Sequence, residues 1–218
     1  MQTLIPNLTI AAMAISALIG IAIPVVLYII FRKKGANHLP FWTGAVTFVL
    51  FALVLEQLVY AFLMAGLFEE TGRFVAMKTV LRKKRANDYN GLMYGAGHGG
   101  IEAVILLSFS MIMNVVFSLQ INAGQASPLG GLDAAQQLAS TPFWMMLVGA
   151  IERISAVAIH VSLSVLVWFA AKNRKKFWLY PLAILLHLVV DAVAVILSRL
   201  GVNVWIIEGS VLVIALAL

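Results

Sequence analysis

The chain has 218 residues, of which 62% are hydrophobic and 11% charged, and its mean hydropathy is +1.00. Soluble domains carry roughly 25% charged residues, so a water-soluble globule is excluded and an integral membrane protein is indicated. The net charge of +6 does not point to nucleic acid, because the bases fall in short clusters between apolar runs rather than along one phosphate-tracking face.

A spanning helix needs about 20 apolar residues to cross a hydrocarbon core about 30 Å thick. The sequence accordingly predicts an all-α polytopic membrane protein with about seven transmembrane helices, at roughly 5–31, 40–59, 62–81, 91–119, 142–171, 177–199 and 202–218. The first lacks a basic leader and a small-residue cleavage site and reads as a retained anchor. The apolar block from 39 to 81 is about two spans long, and the turn between them is placed near Tyr60. Trp42, Trp144, Trp178 and Trp205 fall near predicted span ends, where indoles favour the interface. The stretch 121–141, with its NAGQASPLGGLD run, is expected to be an irregular loop. No repeat or second domain is evident, so 1–218 is taken as a single membrane domain whose core helices are 62–81, 91–119, 142–171 and 177–199.

The bases set the orientation. Arg32, Lys33 and Lys34, then Arg82, Lys83, Lys84 and Arg85, then Lys172, Arg174, Lys175 and Lys176 supply 11 of the 15 Lys and Arg residues. The positive-inside rule puts all three clusters in the cytoplasm of a cell-membrane protein, with the N-terminus outside and the C-terminus inside. Zero cysteines exclude disulfides, thiolate metal sites and a cysteine nucleophile.

The spans nevertheless hold Glu56, Glu69, Glu70, Arg73, His98, Glu102, Glu152, Arg153, His160, His187, Asp191, Arg199 and Glu208. Each charge near the bilayer centre costs at least about 2.5 kcal/mol on insertion scales, so the set must be satisfied collectively and marks function by default. Counting about 1.5 Å per residue from the cytoplasmic helix ends puts Glu70, His160, His187 and Glu102 in one layer, roughly 16–18 Å deep. His98 with Glu102, His187 with Asp191 and Glu69 with Arg73 are i, i+4 pairs, which share a helix face. Four glycines around His98 permit a close helix approach or an opened backbone. Glu152, Arg153 and Arg199 lie near span ends and read as structural; Glu56 and Glu208 receive no role.

In order, the motifs are EE-x-x-R (Glu69, Glu70, Arg73), G-x-G-H-G-G-x-E (Gly95 to Glu102), Glu152–Arg153 with a later His160, and H-x-x-x-D (His187, Asp191). Their combination over residues 62–199 resembles the YhfC family, grouped with the PrsW proteases, the CAAX prenyl endopeptidases, the bacteriocin-processing enzymes and the non-catalytic Aph subunit of gamma-secretase. The resemblance implies a glutamic-type intramembrane endopeptidase acting on a membrane-embedded or hydrophobic peptide within the bilayer. It would need no cofactor. On that analogy Glu69 is the base, Arg73 sets its ionisation, Tyr94 and His98 match the aromatic-x-x-x-His motif, and His187 with Asp191 matches the last. The Arg73 spacing is one residue shorter than the prenyl endopeptidases show, which leaves Glu70 as the alternative base. Asp191 stands where they carry Asn; a carboxylate cannot donate to an oxyanion, so it is expected to orient His187.

Three alternatives stay open. His98, His160, His187 and a Glu could bind zinc, with a second Glu as base, although no HExxH is present. Intramembrane carboxylate and imidazole chains also serve proton or ion transport, and a non-catalytic scaffold has a precedent in the Aph relative.

Overall fold

The computed structural model describes residues 4–55, 63–125 and 132–218. Every regular element among them is helical. Helix α1 is Asn7–Lys33; α2, Leu39–Phe48, continues as a π-helix over Val49–Leu55; α3 is Leu63–Lys78. Helix α4, Tyr89–Glu102, likewise continues as a π-helix over Ala103–Phe109 before α5, Ser110–Asn122. Then come α6 (Leu132–Ser140), α7 (Met145–Lys172), α8 (Leu179–Arg199) and α9 (Val204–Ala217). Among the described residues, four stretches are long and apolar enough to cross a membrane: Asn7–Lys33, Tyr89–Asn122, Met145–Lys172 and Arg174–Arg199. Leu39–Leu55 and Val204–Ala217 are shorter apolar helices. The seven expected segments thus each contain a helix. The turn expected near Tyr60, and Glu56, lie outside the described residues.

One expectation is corrected. The segment 121–141 is not irregular throughout, because Leu132–Ser140 forms α6. Its LDAAQQLAS sequence is rich in good helix formers and places Asp133 in the first turn, where the helix dipole favours an acid.

The chain divides into two compact units, Met1–Ile23 with Ala103–Arg153, and Pro24–Glu102 with Ile154–Leu218. In the first, Asn122 bonds Ile5 through both main-chain groups, Ser108 Oγ donates to Ala17 O at 2.8 Å, and Ser16 Oγ donates to Met146 O at 2.5 Å. Glu152 and Arg153 pair with each other there.

In the second unit α2 lies against α4, α3 against α8, and α8 against α9. Lipid tails are as apolar as leucine, so helices associate in a membrane by close contact rather than by escape from water. Glycine supplies that contact here. A Cβ at Gly97 would overlap the Phe41 carbonyl oxygen of α2, and one at Gly95 would stand 2.6 Å from Val161 Cα of α7. Of the two uses expected for the glycines around His98, the structure takes close approach: the backbone stays α-helical to Glu102.

The basic clusters meet at one end of this unit. Asn87 Nδ2 donates to Gly35 O beyond the end of α1, Asn37 N donates to Asn90 Oδ1, and Lys172 Nζ lies 2.6 Å from Asp88 Oδ1. Lys78 and Arg85 both donate to Ala171 O, satisfying a carbonyl at the C-terminus of α7 where cations are favoured.

Candidate active site

Helices α3, α4, α7 and α8 each deliver polar side chains to one buried cluster. Glu70, Arg73 and His98 are fully buried, and Glu69, His160 and His187 are 5–6% exposed. Glu69 Oε2 is 2.8 Å from His98 Nε2 and 3.9 Å from His160 Nδ1. His160 Nε2 is 2.6 Å from Glu102 Oε2. Glu70 Oε1 is 2.9 Å from His187 Nδ1 and 3.4 Å from Arg73. His187 Nε2 is 3.8 Å from Asp191 Oδ2. The His98 and His160 rings lie 5.0 Å apart, and the His160 and His187 rings 5.3 Å. All eight residues singled out from the sequence therefore belong to one connected cluster, and the four expected at a common depth pair with one another.

The pairing within α3 differs from the expectation. Arg73 meets Glu70, three residues back, rather than Glu69. Glu69 is turned to His98 on α4, whereas the Arg73 guanidinium reaches α7, where the main-chain oxygen and Nδ1 of His160 accept from it. An i, i+3 spacing is as good as i, i+4 for contact on a helix, and the tertiary partners decide between them.

Phe48 on α2 escaped the sequence reading. Its ring stands edge-on to the His98 imidazole, with centroids 5.3 Å apart. Tyr94, one turn before His98, stacks on the same ring at 6.1 Å. Nothing distinguishes Phe48 from the other 11 phenylalanines in the sequence; only the α2–α4 crossing selects it.

The donor set fits a metal. One ligand atom each from Glu69, His98 and His160 lies within 4.8 Å of the others. In tetrahedral zinc with bonds near 2.0–2.1 Å, ligand atoms are about 3.3 Å apart; the 2.8 and 3.9 Å separations bracket that value. Two histidines and one carboxylate are a donor set of catalytic zinc, which keeps its fourth position for water. The charges agree as well, because four carboxylates (Glu69, Glu70, Glu102, Asp191) face the single guanidinium of Arg73 in the cluster, an excess that a divalent cation would offset. Among the described residues, Glu70 Oε2, Arg73 Nε and His98 Nδ1 are buried without a hydrogen-bond partner, so the cluster retains bonding capacity. His187 is not one of the three donors, contrary to the three-histidine zinc set read from the sequence; it is held by Glu70.

Fold and cluster together define an all-helical integral membrane protein that carries a buried carboxylate–imidazole–guanidinium site within its spans. The chain belongs to the YhfC intramembrane metalloprotease family, whose sequence model matches residues 57–211. It is also 35% identical to a Bacillus subtilis (strain 168) protein called "Uncharacterized membrane protein YhfC", over 86% of this chain and 84% of that one. No solved structure matches it.

Proposed function

We propose that this protein is an intramembrane endopeptidase that hydrolyses a peptide bond of a membrane-embedded or hydrophobic substrate, with Glu69, His98 and His160 holding a divalent ion, zinc by the character of the donors. The observation that carries this reading is the convergence of those three donors, from three helices, within 4.8 Å at a buried position. The description of the family as metalloproteases supports it. When bound, the ion would polarise the scissile carbonyl and acidify a water molecule.

The chain's own groups do the rest. Glu70 is the general base: Oε1 is held by His187 and Arg73, and Oε2 is left to take a proton from the attacking water. That proton passes to the leaving amine as the carbon–nitrogen bond breaks. Arg73 and His187 are the donors for the oxyanion that develops on the carbonyl. Asp191 orients His187, and Glu102 holds the His160 ring through Nε2. The basic clusters face the cytoplasm and the N-terminus lies outside.

A glutamic mechanism without metal is the second reading, and Arg73 is what favours it. Its guanidinium already sits 3.1 Å from His160 Nδ1, and Glu69 already bonds His98 directly, as a water-activating Glu–His pair would. Elemental analysis of the purified protein, paired with cleavage of a hydrophobic peptide before and after chelation, separates the two. Stoichiometric zinc lost together with activity establishes the metal. Full activity in a zinc-free preparation establishes the glutamic pair, and a zinc-free, inactive, folded protein removes the protease reading.

A further inference from the structure

The buried cluster is not equally sealed along the membrane normal. Towards the basic loops, every core helix adds buried apolar residues. Met77 and Leu81 follow Arg73 on α3, Leu163, Val167 and Trp168 follow His160 on α7, Tyr94 precedes His98 on α4, and Ala183 precedes His187 on α8. These form one apolar cluster with no member more than 8% exposed. At its base the Trp168 indole lies against Gly91, whose Cβ would stand 2.8 Å from the ring, and donates through Nε1 to Asp88 at 3.0 Å. In this layer, about two helical turns thick, roughly 11 Å, polar groups are few and buried: the Ser164 hydroxyl is spent on the His160 carbonyl at 2.7 Å, and the Tyr94 hydroxyl is enclosed.

Away from the basic loops the exposure rises. Glu102 and Asp191 sit one turn beyond His98 and His187 in that direction, and their side chains are 12% and 30% exposed. A carboxylate in the middle of a spanning helix does not face hydrocarbon, because the cost is at least about 2.5 kcal/mol even on insertion scales. The exposed part of Asp191 therefore faces a hydrated or substrate-filled space. Lipid-facing positions on the same helix are apolar and far more open, as Leu185 and Ile196 show at 57% and 55%.

We propose that water and the scissile segment reach the site only from the membrane face opposite the basic loops, past Asp191 and Glu102, while the layer from Met77 to Trp168 closes the other side. Resting on the protease reading for its substrate, this names the substrate class: membrane-embedded chains whose cleavable segment unwinds from the face away from the basic clusters. Soluble peptides offered on the basic side are not substrates. Asp191 is a positioning residue at this opening.

The natural absence of cysteine makes the test direct. Single cysteines are placed by Asp191→Cys and Glu102→Cys at the opening, by Met77→Cys and Leu163→Cys in the sealing layer, and by Lys83→Cys in a basic loop. Each is labelled with a membrane-impermeant maleimide in vesicles of both orientations, then again after denaturation to count all thiols. The proposal expects both opening positions to label only in the orientation that leaves Lys83→Cys unlabelled, and both sealing positions to label only after denaturation. Labelling of the opening positions from the Lys83 side, native labelling of the sealing layer, or no native labelling at either opening position overturns it. Glu102→Cys carries the result if Asp191→Cys fails to fold. Labelling requires no proteolysis, so an inactive wild type with this pattern sinks the protease reading and leaves the route standing, whereas an active wild type with the opposite pattern does the reverse.

Discussion

Arg73 grips His160 twice, donating from one guanidinium nitrogen to the main-chain oxygen and from the other to Nδ1, both at 3.1 Å. An arginine can only donate, so Nδ1 accepts and the ring proton sits on Nε2, where it faces Glu102 at 2.6 Å. One side chain thereby fixes the tautomer of the central histidine and occupies its Nδ1 lone pair, so an ion held by His160 would take the place of this hydrogen bond. It also joins α3 to α7 across the site. Ser164 donates to the same carbonyl at 2.7 Å.

Replacing Arg73 by Ala is therefore expected to abolish activity and to cost about 3–5 kcal/mol of stability, because Glu70 is left buried without its guanidinium. Arg73→Lys is expected to restore part of the stability and little activity, since a point charge cannot serve three acceptors in one plane. Thermal unfolding in detergent beside a cleavage assay reads both. An active Arg73→Ala protein would remove the guanidinium from the site's chemistry.

The donor geometry separates the histidines. His98→Ala and Glu69→Gln are expected to lose bound zinc, while His187→Ala keeps the metal and loses activity, because His187 holds Glu70 rather than joining the three donors. Metal content by elemental analysis at matched protein concentration decides it. Loss of zinc in all three would return His187 to the ligand set.

Much of this arrangement was legible in the sequence, for a physical reason. Lipid requires long apolar runs, so any charge within one stands out, and a constant rise per residue turns position into depth. Glu70, His160, His187 and Glu102 share a layer in sequence arithmetic and pair in space. Lateral choices leave no such trace. Whether Arg73 meets Glu69 or Glu70 depends on acceptors contributed by α7, 87 residues away. The placement of the Phe48 ring on His98 depends on the crossing of α2 with α4, and nothing in a run of leucine, valine and phenylalanine announces which side of a helix meets which neighbour. The glycines around His98 gave the nearest clue, showing that something comes close without saying what.

That close approach makes opposite predictions for two glycines. Gly97→Ala drives a methyl group into the Phe41 carbonyl of α2, and backbone on both sides leaves no flexible neighbour to yield. A loss of roughly 1–3 kcal/mol is expected, with reduced activity as His98 is displaced beside it. Gly209→Ala on α9 meets nothing within 4 Å. It is expected to gain up to about 1 kcal/mol, since alanine loses less backbone entropy in a helix. Unfolding midpoints in one detergent give both signs, and a neutral Gly97→Ala would show that the α2–α4 contact is looser than described.

Asp88 supplies a pH dependence outside the spans. Partial burial pushes its pKa up, but hydrogen bonds from Lys172 and Trp168 and the charges of Lys172 and Lys176 outweigh this and leave it below the ordinary value. A lowered folded pKa contributes stability that is present above the unfolded value near 3.9 and is lost as pH falls through the folded one. The loop that ties α4 to α7 is thus expected to be intact at neutral pH and to loosen only in acid below about pH 4. Because the pair is largely solvated, Asp88→Asn should cost only about 0–1 kcal/mol near pH 7 and nothing further in acid, flattening the dependence. Unfolding midpoints of wild type and Asp88→Asn from neutral to acid pH test this. Parallel curves for the two proteins would show that Asp88 does not carry the acid sensitivity, and that the Trp168 indole holds the base of the sealing layer by its contact with Gly91 alone.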